Sequence, residues 1–284
     1  MYTGQLLGVS KVAEATPAAF CRAITGGSLT IDYNNISKRG VGGQLHARKG
    51  TSAITLSMSG VVGVAKTDIV KWFPTTAGAQ VAAFPNFLVE VVGNRAWTLS
   101  DGQPAGCTIS CGDGPDAEME FSMDIMFATA AGGAAETAAC VYNTMQGHTR
   151  NDIVVTGVTN CLSFDIANGL TTEMYNPMVA KTAGVKTFPD GYAITAQAPS
   201  FSCVSGDPIY LTGAAEPAFA DAHAKSTIVV TAKNGTGAED ITITMADFVP
   251  DGSAVVPLEA DGITGWALSY VPGDGVSYGR VAIA

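Results

Sequence analysis

A chain of 284 residues is long enough to bury one or two cores without help from disulfides or metals. Charged residues make up only 14% against a usual ~25%. Hydrophobic residues reach 47%, and glycine and proline number 33 and 13, which excludes a coiled coil and wholesale disorder. The formal charge of −10 sets the chain as a whole against nucleic acid and anionic lipid and disfavours a sequence-reading DNA binder. Leucine is scarce beside Thr, Val, Ile, Ser and Gly, so short strands joined by turns are expected rather than helix bundles. There is no run of 18 apolar residues, and the first thirty residues lack a charged start, an apolar run and a cleavage site. No membrane association and no export by the general signal-peptide route are expected.

In chain order, Leu29, Ile31 and Tyr33 alternate with Ser28, Thr30 and Asp32, the period of a half-buried strand. Ile54, Leu56 and Met58 repeat the pattern against Thr55, Ser57 and Ser59, closed by Gly60. A short helix is expected through Ile69, Val70, Trp72 and Phe73, capped by Thr67 or Asp68 and stopped at Pro74. Strands follow from Phe87 to Val92, Ala96 to Leu99 and Cys107 to Cys111. The clearest runs from Met119 to Phe127, where Met119, Phe121, Met123, Ile125 and Phe127 share a face. Residues 130–150 are rich in Ala, Gly and Thr, which suits a connector, although Ala135 to Tyr142 has helical character. Residues 214–224 offer a second helix, with Pro217 near its first turn. Alternation of this kind suits antiparallel sheets with one dry face.

The order of features repeats across the connector. Leu29, Asp32 and Asn35 match Leu162, Asp165 and Asn168 at one constant spacing. Long polar segments, 34–50 and 167–191, come next. Strands ending at Ser59-Gly60 and Ser205-Gly206 follow, and then a helix candidate in each copy. Late in each half an acidic turn leads into a long strand, with Phe121, Met123 and Ile125 opposite Trp266, Leu268 and Tyr270. The expected organisation is two tandem domains, 1–148 (with an N-terminal arm, 1–15) and 149–284.

Catalytic constellations are missing from the sequence. His46, His148 and His223 lie far apart, outside any short zinc spacing, and read as surface or loop residues. Gly275-Val276-Ser277-Tyr278-Gly279 fits a nucleophile elbow, but neither Asp nor His follows it. Asp247 to Gly252 lacks the ligand alternation of a calcium loop and reads as an acidic turn. Cys107 and Cys111 fall on one strand face, about 13 Å apart by strand rise, too far to pair with each other unless the segment bends. Cys21, Cys107, Cys111, Cys140, Cys161 and Cys203 are expected as reduced, mostly buried thiols. No catalytic residue, cofactor or metal is expected.

Charge is uneven. Asp113, Asp116, Glu118, Glu120 and Asp124 occur without a nearby base, and from Asn234 to Gly279 there are acids, among them Asp251, Glu259 and Asp261, and no Lys or Arg. Beyond solvated turns, such a surface suits one that a polyanion passes without sticking, because affinity for phosphates comes from Lys and Arg. Lys38, Arg39, His46, Arg48 and Lys49 instead gather in the first long polar segment, a basic loop suited to an acidic neighbour.

The start of each copy (Leu29 to Ile36, Leu162 to Leu170), the long loops, the return strand Thr51 to Gly60 and the late strands Glu118 to Phe127 and Gly262 to Val271 together resemble the tail tube proteins of long-tailed bacteriophages, in the form where two tube domains are fused. The resemblance covers nearly the whole chain. It implies a mainly β fold of two tail-tube-like β-sandwich domains, each with one short flanking helix and a long loop. It also implies sheets joined edge to edge between subunits into a barrel, and rings, as trimers with pseudo-six-fold symmetry, stacked into a conduit for genome ejection. Lys38, Arg39, His46, Arg48 and Lys49, with Glu173, Tyr175, Lys181 and Lys186, would then stack ring on ring; Asp113, Asp116, Glu118, Glu120, Asp251, Glu259 and Asp261 would form the acidic surface. Implied partners are the chain itself and tape-measure, tail-terminator and baseplate or tail-tip proteins. Double-stranded DNA would pass without specific binding. Location would be the virion tail, assembled in the host cytoplasm. The alternative is a non-enzymatic binding module such as a capsid decoration protein or adhesin.

Overall fold

The computed structural model describes residues 6–11, 23–32, 35–39, 45–49, 53–62, 72–73, 86–91, 95–134, 146–158, 160–175, 191–206, 225–233, 240–251, 265–275 and 278–284. They are almost entirely strand. The first half contains β1 (Leu6–Lys11), β2 (Ile24–Asp32), β3 (Asn35–Arg39), β4 (Leu45–Lys49), β5 (Ala53–Val61), β6 (Phe87–Val91), β7 (Arg95–Cys111) and β8 (Met119–Ala134). The second contains β9 (Ile153–Thr156), β10 (Cys161–Ala167), β11 (Leu170–Tyr175), β12 (Gly191–Gln197), β13 (Ser200–Ser205), β14 (Ser226–Ala232), β15 (Ile241–Pro250), β16 (Trp266–Pro272) and β17 (Val281–Ile283). All strand pairs are antiparallel.

Period-two alternation becomes burial as the side chains dictate. In β5 Ile54, Leu56 and Met58 are buried while Ser59 is exposed. Across it Ile54 pairs with Phe127, Leu56 with Ile125 and Met58 with Met123, all buried. Each such side chain contributes about 1.5–3 kcal/mol on leaving water. Val9 of β1 and Phe87 and Val89 of β6 join the same core, and Phe87 meets Phe127 edge-on at 5.9 Å. The β1–β6 layer therefore closes over the β2–β5–β8 layer as a sandwich.

Sequence alternation splits residues 95–111 into two strands, because Gly102, Pro104 and Gly106 interrupt them. The structure has one strand of 17 residues. Pairing skips Asp101 and Ala128, and a bulge between Pro104 and Gly106 absorbs Ala105. Before the kink β7 pairs with β6 and the far half of β8; beyond it β7 pairs with the near half of β8. Two long strands thus serve both layers. Alternation also ends β8 too early: it runs on to Ala134, so the expected connector begins as strand.

The described residues bear only partly on the expected flanking helices. Trp72 and Phe73 are buried, but the rest of 67–73, residues 135–142 and residues 214–224 lie outside the described residues. The one complete helical element described is the 3-10 turn Arg150–Asp152. Asp247 sits within β15, not in an acidic turn, and Arg280 bonds its carboxylate and that of Asp274. His148 does lie in a loop but is buried, because its carbonyl accepts the Met119 N–H at 2.7 Å and draws the loop onto β8.

The pairing diagram repeats. In the first half the order is β1-β6-β7-β8-β5-β2; in the second it is β9-β14-β15-β16-β13-β10. Registers repeat as well. Val9, Val89 and Trp97 line up across three strands, as Val155, Val230 and Ile243 do. Leu56 faces Ile125, as Phe201 faces Tyr270. A bulge at Thr25 lies opposite Ser59-Gly60, and one at Leu162 opposite Val204-Ser205. Pairing therefore aligns Leu162 with Thr25 and not with Leu29. The four-residue shift leaves every side chain on the same face.

Candidate functional site

Between the halves the sheet does not stop. β7 pairs with β10: Thr108 with Ala167, Ile109 with Ile166, Ser110 with Asp165 and Cys111 with Phe164. One repeat thus presents the kinked strand's far half and the other its early strand, and the two sheets join edge to edge. Asn168 fastens the joint. Its N–H donates to Cys107 O and its Oδ1 accepts the Cys107 N–H, both at 2.9 Å. Its Nδ2 reaches Trp72 O at 2.8 Å. The β11/β12 hairpin adds a Thr172 hydroxyl bond to Pro104 O at 2.6 Å.

By the repeated order, the counterpart of β10 is β2. Among the described residues β2 pairs only with β5, so its other edge is bare. Burial differs accordingly. On β10 Phe164 and Ile166 are 6% and 0% exposed; at the equivalent positions of β2 Gly27 is exposed and Leu29 half-buried. Because Asn168 N–H faces β7, alternate amides Ile166 and Phe164 face it too. Their counterparts, the amides of Ile31, Leu29 and Gly27, point away from β5. An edge whose amides have no strand partner among the described residues, with half-buried Leu29 and Ile31 along it, is a template for strand addition.

One face of the joined sheet is polar. Glu120, Ser110, Asp165, Ser202 and Ser269 lie in register across β8, β7, β10, β13 and β16. Ser122 and Thr108 form part of the next row; Ser28, Ser57 and Asp124 form another. β2, β5, β8, β10, β13 and β16 contain neither Lys nor Arg, and β7 has only Arg95, at its start. The face is rich in hydroxyls and carboxylates, with Ala167, Val204 and Ala267 among them, and its row from Glu120 to Ser269 crosses the joint. Burial raises the Asp165 carboxyl above its ordinary range.

Of the residues singled out by charge, Glu120 stands on this face, while Asp113 and Asp116 are exposed in the turn before β8 and Glu118 is half-buried at its edge. Asp251 is exposed just beyond β15; Glu259 and Asp261 lie outside the described residues. Asp165 and Asp32 escaped that reading because each is a single acid in an alternating strand, where no charge run marks it. Lys38 and Arg39 fall on β3 and His46, Arg48 and Lys49 on β4, a hairpin in which Lys38 faces His46. Glu173 and Tyr175 fall on β11; Lys181 and Lys186 lie outside the described residues. The two hairpins occupy equivalent places, between β2 and β5 and between β10 and β13.

Among the described residues no group of three or more His, Cys, Asp or Glu is placed to hold a metal ion. No helix among them is long and apolar enough to cross a membrane. No protein-family model and no curated protein matches the chain.

Proposed function

We propose that this is a structural protein that polymerises through its sheet edges into rings and, by stacking, into a tube that conducts DNA. The observation that carries the reading is the β7–β10 joint: two repeats of the same pairing order meet edge to edge within the chain, and β2, the equivalent of β10, has no strand on its other edge among the described residues. A contact that joins repeat one to repeat two can join repeat two to the next copy's repeat one, and such head-to-tail contacts close into rings. Two tube-like domains, 1–148 and 149–284, then give a trimer six-fold pseudo-symmetry.

The hydroxyl- and carboxylate-rich face becomes the lumen wall, where the strands offer DNA no cation beyond Arg95 to hold its phosphates. The hairpins β3/β4 and β11/β12 become the stacking arms. The protein performs no chemistry in this role and needs no cofactor. It belongs to a virion tail, assembled in the host cytoplasm, with tape-measure, terminator and baseplate or tip proteins at its ends.

Negative-stain microscopy of the concentrated protein tests the proposal, alongside Gly27→Pro, which removes one outward amide from β2. Rings or tubes are expected from the wild type, and folded single subunits from the variant. Monodisperse wild-type monomers would count against it and favour a decoration or adhesion module.

A further inference from the structure

Beside the joint lies a cleft of about 300 Å³, lined by Cys111, Arg150, Val154, Asn160, Cys161 and Phe164 among others. Cys161 is half-buried and reaches this cleft; Cys203, on the neighbouring strand, is buried. The bulge at Leu162 brings Cys161 onto the same face as Cys203. Cys161 pairs with Ser205, Cys203 pairs with Phe164, and the two cysteines are diagonal neighbours on β10 and β13. The Cys161 thiol donates to Ser163 O at 3.3 Å.

We propose that Cys161 and Cys203 are a redox pair, closed to an intrachain disulfide by a low-molecular-mass disulfide entering the cleft. The Cys161 thiolate attacks one sulfur of the incoming disulfide and expels a thiolate, leaving a mixed disulfide on Cys161. The Cys203 thiol then gives up its proton to the expelled thiolate or to water and attacks the Cys161 sulfur, expelling the second thiolate. Two protein thiols are oxidised by two electrons, and one small disulfide is reduced to two thiols.

The surroundings divide these roles. Interaction with the Cys203 thiol holds the Cys161 thiol below its ordinary range against the opposing effect of burial, and the Arg150 guanidinium adds to the lowering. That same interaction, then burial and the Cys161 charge, hold Cys203 protonated. Capping Cys161 removes its charge and frees the Cys203 proton. Cys107 is pushed up by burial, and so is Cys111, with Arg150 opposing. This inference is independent of tube assembly.

The test is incubation of the full chain with oxidised glutathione, followed by non-reducing peptide mapping by mass spectrometry. A linked Cys161–Cys203 peptide pair is expected, with loss of two thiols per chain. Cys203→Ser should accumulate glutathione on Cys161; Cys161→Ser should leave Cys203 reduced. The wild-type map stands whether or not the variants fold. Unlinked Cys161 and Cys203, a Cys161–Cys111 bond instead, or glutathione arriving first on Cys107 or Cys111 would overturn the proposal.

Discussion

Asp247 holds in the second repeat the place that Asp101 holds in the first: each sits at the kink of its long strand, at φ of 58° and 55°. A non-glycine residue in the left-handed region costs about 1 kcal/mol or more. The kink is where each strand passes from one layer of pairing to the next. The residue after it, Gly102 or Phe248, pairs with the strand that carries the polar face, β8 or β16.

The two kinks differ in what holds them, and substitution should separate them. Asp101→Gly removes the backbone cost and is expected to leave stability unchanged or raise it by up to about 1 kcal/mol. Asp247→Gly also loses the Arg280 pair, whose side chains are 21% and 42% exposed. That loss, up to about 1 kcal/mol, offsets the backbone gain, so Asp247→Gly is expected to fall below Asp101→Gly by up to about 1 kcal/mol in its effect on stability. Urea unfolding of both variants checks the difference.

Asn168 is 1% exposed and serves β7 and the Trp72 segment at once. Asn168→Ala leaves the Cys107 N–H and the Trp72 carbonyl without this partner in a buried place. A loss of about 3 kcal/mol is expected. Thermal or denaturant unfolding reads it; a loss below about 1 kcal/mol would mean the joint is held elsewhere.

The Asp165 carboxyl is raised in the folded chain by burial. Between its unfolded and folded titration points the folded state binds more protons, so stability falls as pH rises through that window. At neutral pH the ionised group is a cost. Asp165→Asn should remove this slope and stabilise the chain at pH 7 relative to pH 4, as unfolding midpoints across that range would reveal.

The polar face should resist DNA only while it lacks cations. Ser202→Lys with Ser269→Lys places two ammonium groups in the row that holds Glu120 and Asp165. Assembled wild-type protein is expected to leave DNA mobility unchanged at low salt, and the double variant to retard it in a salt-dependent way. Gel mobility at two ionic strengths is sufficient.

Much of the sheet was legible because burial follows a period of two: Ile54, Leu56 and Met58, or Phe121 to Phe127, could only be strand. The continuity of β7 was not, since Gly102, Pro104 and Gly106 read as punctuation and a kinked strand tolerates all three. A signal was present: Thr98, Asp101, Pro104 and Gly106 recur with the same spacing as Thr244, Asp247, Pro250 and Gly252. The joint itself was invisible, because alternation in Thr108–Cys111 and Phe164–Ala167 fixes faces and says nothing of partners. The charged loop residues were legible as a cluster, but their place on paired strands was not, because two five-residue strands with so few apolar side chains give little alternation to read.

Hydrogen exchange of the β2 amides, compared between single subunits and assembled particles, tests this edge most directly. The amides of Gly27, Leu29 and Ile31 are expected to exchange freely in the subunit and to become protected on assembly, while those of Ser28 and Thr30, turned toward β5, are protected in both. Equal exchange of Gly27, Leu29 and Ile31 in the two states would contradict assembly through this edge.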